Sequence, residues 1–107
     1  MSHQIPTKLR KQVYERANGV CELCGGTNML QPHHILFGVG KRKACERFET
    51  LILLDWDCHY GTFGVHGREG HALDMKLKLG LQLIYFEQGC TNEETRKLMG
   101  DELYFEE

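Results

Sequence analysis

Residues 31–60, QPHHILFGVGKRKACERFETLILLDWDCHY, decide how the chain folds. His33 to Phe37 reads as a short strand. Gly38 to about Glu49 is rich in glycine and basic residues, which predicts a loop. Leu51-Ile52-Leu53-Leu54 is apolar at every position and predicts a second, buried strand. Asp55 then opens a short helix that carries Cys58 and His59. Two strands and a helix within so short a stretch predict an α+β fold.

Upstream, a helical pattern runs from Lys8 to Ala17. Thr7 is its expected N-cap, and Leu9, Val13 and Ala17 form its apolar stripe. Asn18-Gly19 ends this helix, and Cys21-Glu22-Leu23-Cys24-Gly25-Gly26 has the form of a knuckle, a tight turn that aims amides at sulfur. Downstream, Gly61, Gly64, Gly67 and Gly70 predict a loop. From His71 to Gln88 leucines alternate as in a strand. The residues are nevertheless Leu, Met and Lys, and β-branched types are almost absent, so a helix with a broad apolar face is expected. Thr91-Asn92-Glu93-Glu94 is a capping box for a last helix ending near Gly100. No repeat, low-complexity tract or linker divides the chain. One domain is expected over 1–107, with its core at about 7–70 and C-terminal helices at about 71–100.

A chain of 107 residues has room for one modest core, for which a structural metal is a common staple. No apolar run reaches the ~18 residues of a membrane span, and Met1 to Arg10 lacks a signal-peptide core. A cytoplasmic protein without membrane partners is expected, in the host cytoplasm if the source is viral. The net charge of −2 argues against nucleic-acid binding driven by total charge. Locally, however, Lys41, Arg42, Lys43 and Arg47 make a basic loop able to grip phosphates, while Asp101 to Glu107 is acidic.

The cysteines number five, an odd count with a C-x-x-C pair, which in a reducing compartment points to metal or redox chemistry before a disulfide framework. Cys21 and Cys24 can both reach one tetrahedral zinc ion, and Cys58 is the best third ligand. For the fourth, Asp55 stands at C-x-x-C spacing from Cys58 but also suits a helix N-cap; Cys45 is the other candidate. On a strand, His33 and His34 point to opposite faces, so one imidazole can bind a metal while the other faces a different group. Cys58 and His59 adjoin, one ligand for each of two sites. His66 is a candidate for a third ligand or a phosphate contact, and His71 follows it.

In order and spacing, Cys21-x-x-Cys24-Gly25, His33-His34-Ile35, Leu51 to Leu54 and Cys58-His59 resemble the HNH endonuclease family, as does the approach RKQVYERANG over Arg10 to Gly19. The resemblance covers roughly residues 7 to 60. It implies a ββα-metal (His-Me finger) core with a zinc knuckle, flanked by N-terminal and C-terminal helices. It implies His33 and His59 as ligands of a catalytic divalent ion, His34 as general base, and Cys21, Cys24 and Cys58 as ligands of a separate structural Zn2+. The sequence departs from the family at Thr50, where the Asn that steadies the loop aiming the base is usual, and at Asp55, where a fourth zinc cysteine is usual. The implied activity is hydrolysis of DNA phosphodiesters. Imidazole ligands suit Zn2+, Ni2+ or Mn2+, and substrate oxygens make Mg2+ workable. The implied alternative is an inert, zinc-stabilised DNA-binding module. Expected partners are DNA, a second copy docking through the apolar helix from His71, or a DNA-processing protein of phage or host.

Overall fold

Two four-residue strands, β1 (Gln31–His34) and β2 (Leu51–Leu54), pair antiparallel, with His33 opposite Ile52 and His34 opposite Leu51. The computed structural model describes residues 4–38 and 40–105. Met1 to His3, Val39 of the expected basic loop, and Glu106 and Glu107 of the acidic tail lie outside the described residues. Helix α1 (Thr7–Arg16) precedes the sheet. A one-turn helix α2 (Lys41–Ala44) and a 3-10 turn (Phe48–Thr50) interrupt the connection between the strands. After β2 come α3 (Trp56–Tyr60), α4 (His71–Glu87) and α5 (Asn92–Leu98).

The first strand lies earlier than His33 to Phe37. Ile35 and Leu36 are both buried in the main core, which strict strand alternation does not permit for neighbours beside one core. The chain therefore leaves the ladder after His34, with the Ile35 amide donating to the Thr50 carbonyl at 2.9 Å. Pro32 is tolerated in β1 because a two-stranded sheet has only edge strands. Helix α1 also starts a residue earlier than expected. Pro6, in extended backbone, takes the cap position and Thr7 the first turn, so Thr7 is not the N-cap.

Alternation along β2 divides the apolar side chains. Leu51 and Leu53 pack with Ile5, Val13 and Ala17 under α1. Leu54 packs on the other side with Ile35, Leu36, Leu77, Leu81, Tyr85 and Met99, joining the sheet to α4 and the end of α5. Leu77, Leu81 and Tyr85 follow one another at the four-residue step that aligns side chains on one helix face. Leu79, Leu83 and Ile84 of α4 remain exposed. Fully buried Gln82 is satisfied by the C-terminal segment: its Nε2 donates to the Phe105 carbonyl and its Oε1 accepts from the Tyr104 amide at 2.7 Å. Thr91 and Glu94 form the expected capping box of α5.

Candidate metal centres

The knuckle is built by two backbone bonds, from the Cys21 amide to the Gly26 carbonyl (2.8 Å) and from the Gly25 amide to the Cys21 carbonyl (2.9 Å). Gly25 turns the chain at φ +78°, a region that only glycine enters freely. The turn is pinned to β2 by the Glu22 amide, which donates to the Leu53 carbonyl at 2.9 Å. It is pinned to α3 by the Trp56 amide, which donates to the Asn28 carbonyl at 2.9 Å. Cys21, Cys24, Asp55 and Cys58 each then offer a ligand atom, all within 4.8 Å of one another.

The N-cap reading of Asp55 holds through one carboxylate oxygen, and the other oxygen faces the thiol cluster. Oδ1 caps α3 by accepting from the Cys58 amide at 2.9 Å, while Oδ2 accepts from the Cys24 thiol at 3.0 Å. The bond from Cys24 and then the amide bond hold the Asp55 carboxyl below its ordinary value. The same bond to Asp55 pushes the Cys24 thiol up. Burial, and then the neighbouring thiols, push Cys58 up. Three sulfurs and a carboxylate oxygen so crowded match the donor chemistry and number of a tetrahedral zinc site. Cys45 is buried in the main core and is not part of this group.

A second group forms where β1, α3 and the glycine-rich segment meet. His33, His59 and His66 each offer one ring nitrogen within 4.8 Å of the others. Their ring centroids make a nearly equilateral triangle: His33–His59 5.2 Å, His33–His66 5.1 Å and His59–His66 5.0 Å. His33 is only 3% exposed, and among the described residues its buried Nε2 has no hydrogen-bond partner. A buried polar atom left unpaired costs free energy, and a cation bound among the three rings would relieve that cost. Burial, then the neighbouring imidazoles, push His33 down to about 2. Burial, then His66, push His59 down to about 4. Burial and then Arg42 lower His66. All three rings are therefore neutral near pH 7, the form that binds metals.

These shifts carry a sign for stability. Above the ordinary value of 6.5 the folded and unfolded chains hold His33 alike. As pH falls below it, the unfolded chain takes up a proton that the folded one refuses, so stability is lost progressively towards pH 2. With no ion added to the histidine group, the urea midpoint is expected to fall between pH 7 and pH 5. His33→Gln should flatten that slope, and an unchanged slope would mean that His33 is not held neutral.

The segment carrying His66 is a compact coil. Gly64, Gly67 and Gly70 each donate to the carbonyl three residues back, and Val65 and His66 donate to the carbonyls of Cys58 and His59 at 2.9 and 2.8 Å. The period of three in the glycines has a steric cause. A Cβ on Gly67 would lie 1.8 Å from the Gly61 carbonyl oxygen, and one on Gly70 would lie 1.9 Å from that of Gly64. Gly67→Ala is expected to cost at least about 1–3 kcal/mol and to weaken Ni2+ binding by displacing His66, as read by urea unfolding and Ni2+ titration. Undiminished Ni2+ affinity would show that the coil does not hold a ligand.

His34 Nε2 lies 2.7 Å from the Glu46 carboxylate. Thr50 is buried. Its hydroxyl donates to the Cys45 carbonyl at 2.6 Å and accepts from the Arg47 amide at 2.9 Å, stapling the backbone on both sides of Glu46. His33, His34, His59 and His66 line one cleft of about 420 Å³, with Arg42 and Arg10 also on its walls. Of the four basic loop residues, Arg42 alone reaches this cleft. Lys41 pairs with Glu102 at 3.3 Å and Lys43 is exposed. Arg47 turns inward to Glu49 (2.8 Å), the Tyr85 hydroxyl (2.9 Å) and the Leu98 carbonyl (2.6 Å). His71 begins α4 and is not part of the histidine group. Arg10 heads the RKQVYERANG stretch, which assigns it no site role, and Glu46 carries no motif that singles it out in the sequence.

No family model, curated protein or solved structure matches this chain. The structure itself is a small α+β arrangement of ββα-metal-like form, with helices flanking a two-stranded sheet and two candidate metal-binding clusters. Among the described residues no helix is long and apolar enough to cross a membrane.

Proposed function

We propose that residues 1–107 form one HNH-type domain, a metal-dependent endonuclease that hydrolyses DNA phosphodiester bonds. The observation that carries this reading is the triangle of His33, His59 and His66 in the same cleft as His34. The three histidines would hold a divalent ion, and Cys21, Cys24, Asp55 and Cys58 a structural zinc. Bound there, the divalent ion would supply Lewis-acid stabilisation of negative charge on the phosphate and the leaving oxygen. His34 takes a proton as the water oxygen bonds to phosphorus. The bond from phosphorus to the 3′ oxygen breaks, and that oxygen takes a proton from solvent. Arg42 and Arg10 hold flanking phosphates; exposed Lys43 adds positive charge nearby. Arg47 braces the loop from behind. The thiol cluster suits a reducing cytoplasm.

Purified chain incubated with supercoiled plasmid is expected to convert it to nicked or linear DNA with Mg2+, Mn2+, Ni2+ or Zn2+, and to stop on chelation. No conversion with any of the four would contradict the reading. A zinc-stabilised DNA-binding module without catalysis is the second reading, favoured by the net charge of −2 and by the internal pairing of Lys41 and Arg47. That module would bind one ion per chain and retain DNA without cutting it.

A further inference from the structure

We propose that Glu46 is the positioning residue of His34: it fixes the plane of the imidazole and holds the ring proton on Nε2, so that Nδ1 carries the lone pair that accepts a proton from water. This rests on the nuclease reading of the cleft. An ionised carboxylate only accepts hydrogen bonds, so beside an ionised Glu46, 2.7 Å away, Nε2 is the donor. A neutral imidazole has one N–H; with that proton on Nε2, the lone pair sits on Nδ1. A base whose second nitrogen is held by an orienting group is the arrangement that makes an imidazole effective in proton transfer.

The carboxylate is itself held. The Glu46 side chain is 8% exposed and that of His34 14%. A charge so enclosed persists only when paired. Thr50 ties the carbonyl before Glu46 and the amide after it, and Arg47 anchors the same loop to Tyr85 of α4 and to Leu98 at the end of α5. The short Thr50 side chain thus acts on the base through the loop and Glu46. The C-terminal helices, beyond the ββα elements, become the support of the proton acceptor. Glu46 is not part of the histidine group, so its removal leaves the ligand set whole.

The test uses the zinc-loaded full chain and the variants Glu46→Ala, Glu46→Gln and His34→Ala. Ring-nitrogen NMR is expected to show His34 of the parent as the Nε2–H tautomer, and Glu46→Ala to give a mixture. Plasmid nicking with Mn2+ should fall about 100-fold in Glu46→Ala while Ni2+ binding is unchanged. Glu46→Gln, whose amide oxygen still accepts, should keep the tautomer and recover about 10-fold of the loss. A parent ring protonated on Nδ1 would overturn the proposal. So would Glu46→Ala nicking like the parent when His34→Ala does not. A parent that never nicks overturns the nuclease reading and the proton-accepting role together, and the spectrum still decides whether Glu46 sets the tautomer.

Discussion

Replacing His34 with alanine is expected to lower DNA cleavage by about 10²- to 10⁴-fold, the range that a positioned general base contributes, without loosening either metal site. The two effects separate because of the local geometry. His33 and His34 are neighbours on β1, but only His33 joins the His59 and His66 rings. His34 instead meets Glu46. His34→Ala therefore removes the proposed proton acceptor and leaves His33, His59 and His66 in place. His33→Ala, by contrast, removes a proposed ligand that is 3% exposed and should abolish Ni2+ binding along with cleavage. Parallel measurement of nicking rate and Ni2+ affinity checks both. Equal cleavage by His34→Ala and the parent would remove the base from the mechanism.

Stripping the zinc proposed for the cysteine cluster is expected to unfold the chain. Each strand has four residues and α3 has five, lengths that do not persist alone. The knuckle ties them together: it bonds to β2 through Glu22, and Asp55 and Cys58 of the same cluster stand at the start of and within α3. A structural zinc site contributes about 10–16 kcal/mol of apparent binding free energy, against about 5–15 kcal/mol of net stability in a typical domain. Loss of the cooperative melt after chelation, and its return on adding Zn2+, is the result expected by circular dichroism. Cys58→Ser should weaken the melt in the same direction. A melt unchanged by chelation would show that the core holds without the ion.

Much of the site was legible because ligand chemistry is written in residue type. Cys21, Cys24 and Cys58, and the pairing of a cysteine with a histidine at 58 and 59, point to the two candidate metal-binding clusters. Helix α4 was legible despite its alternating leucines, since propensity outweighed a period that the buried Leu77, Leu81 and Tyr85 do not follow. Strand β1 was misplaced for a physical reason. Gln31 and Pro32 look unlike strand residues, while Ile35 and Leu36 look like them but serve the core after the chain has left the ladder. The period-three glycines read as a loop; only their contacts reveal a coil tight enough to set His66 beside His59. Glu46 was hidden in a basic loop, twelve residues from His34. Arg47 looked like a phosphate ligand there because a sequence does not show that Tyr85 and Leu98 draw it inward.

Crystals soaked in Mn2+ and measured for anomalous scattering test the histidine centre most directly. One peak about 2.0–2.3 Å from a nitrogen of each of His33, His59 and His66, in the cleft that His34 lines, is the result expected. Full Mn2+ occupancy elsewhere with the three rings left unligated would contradict it.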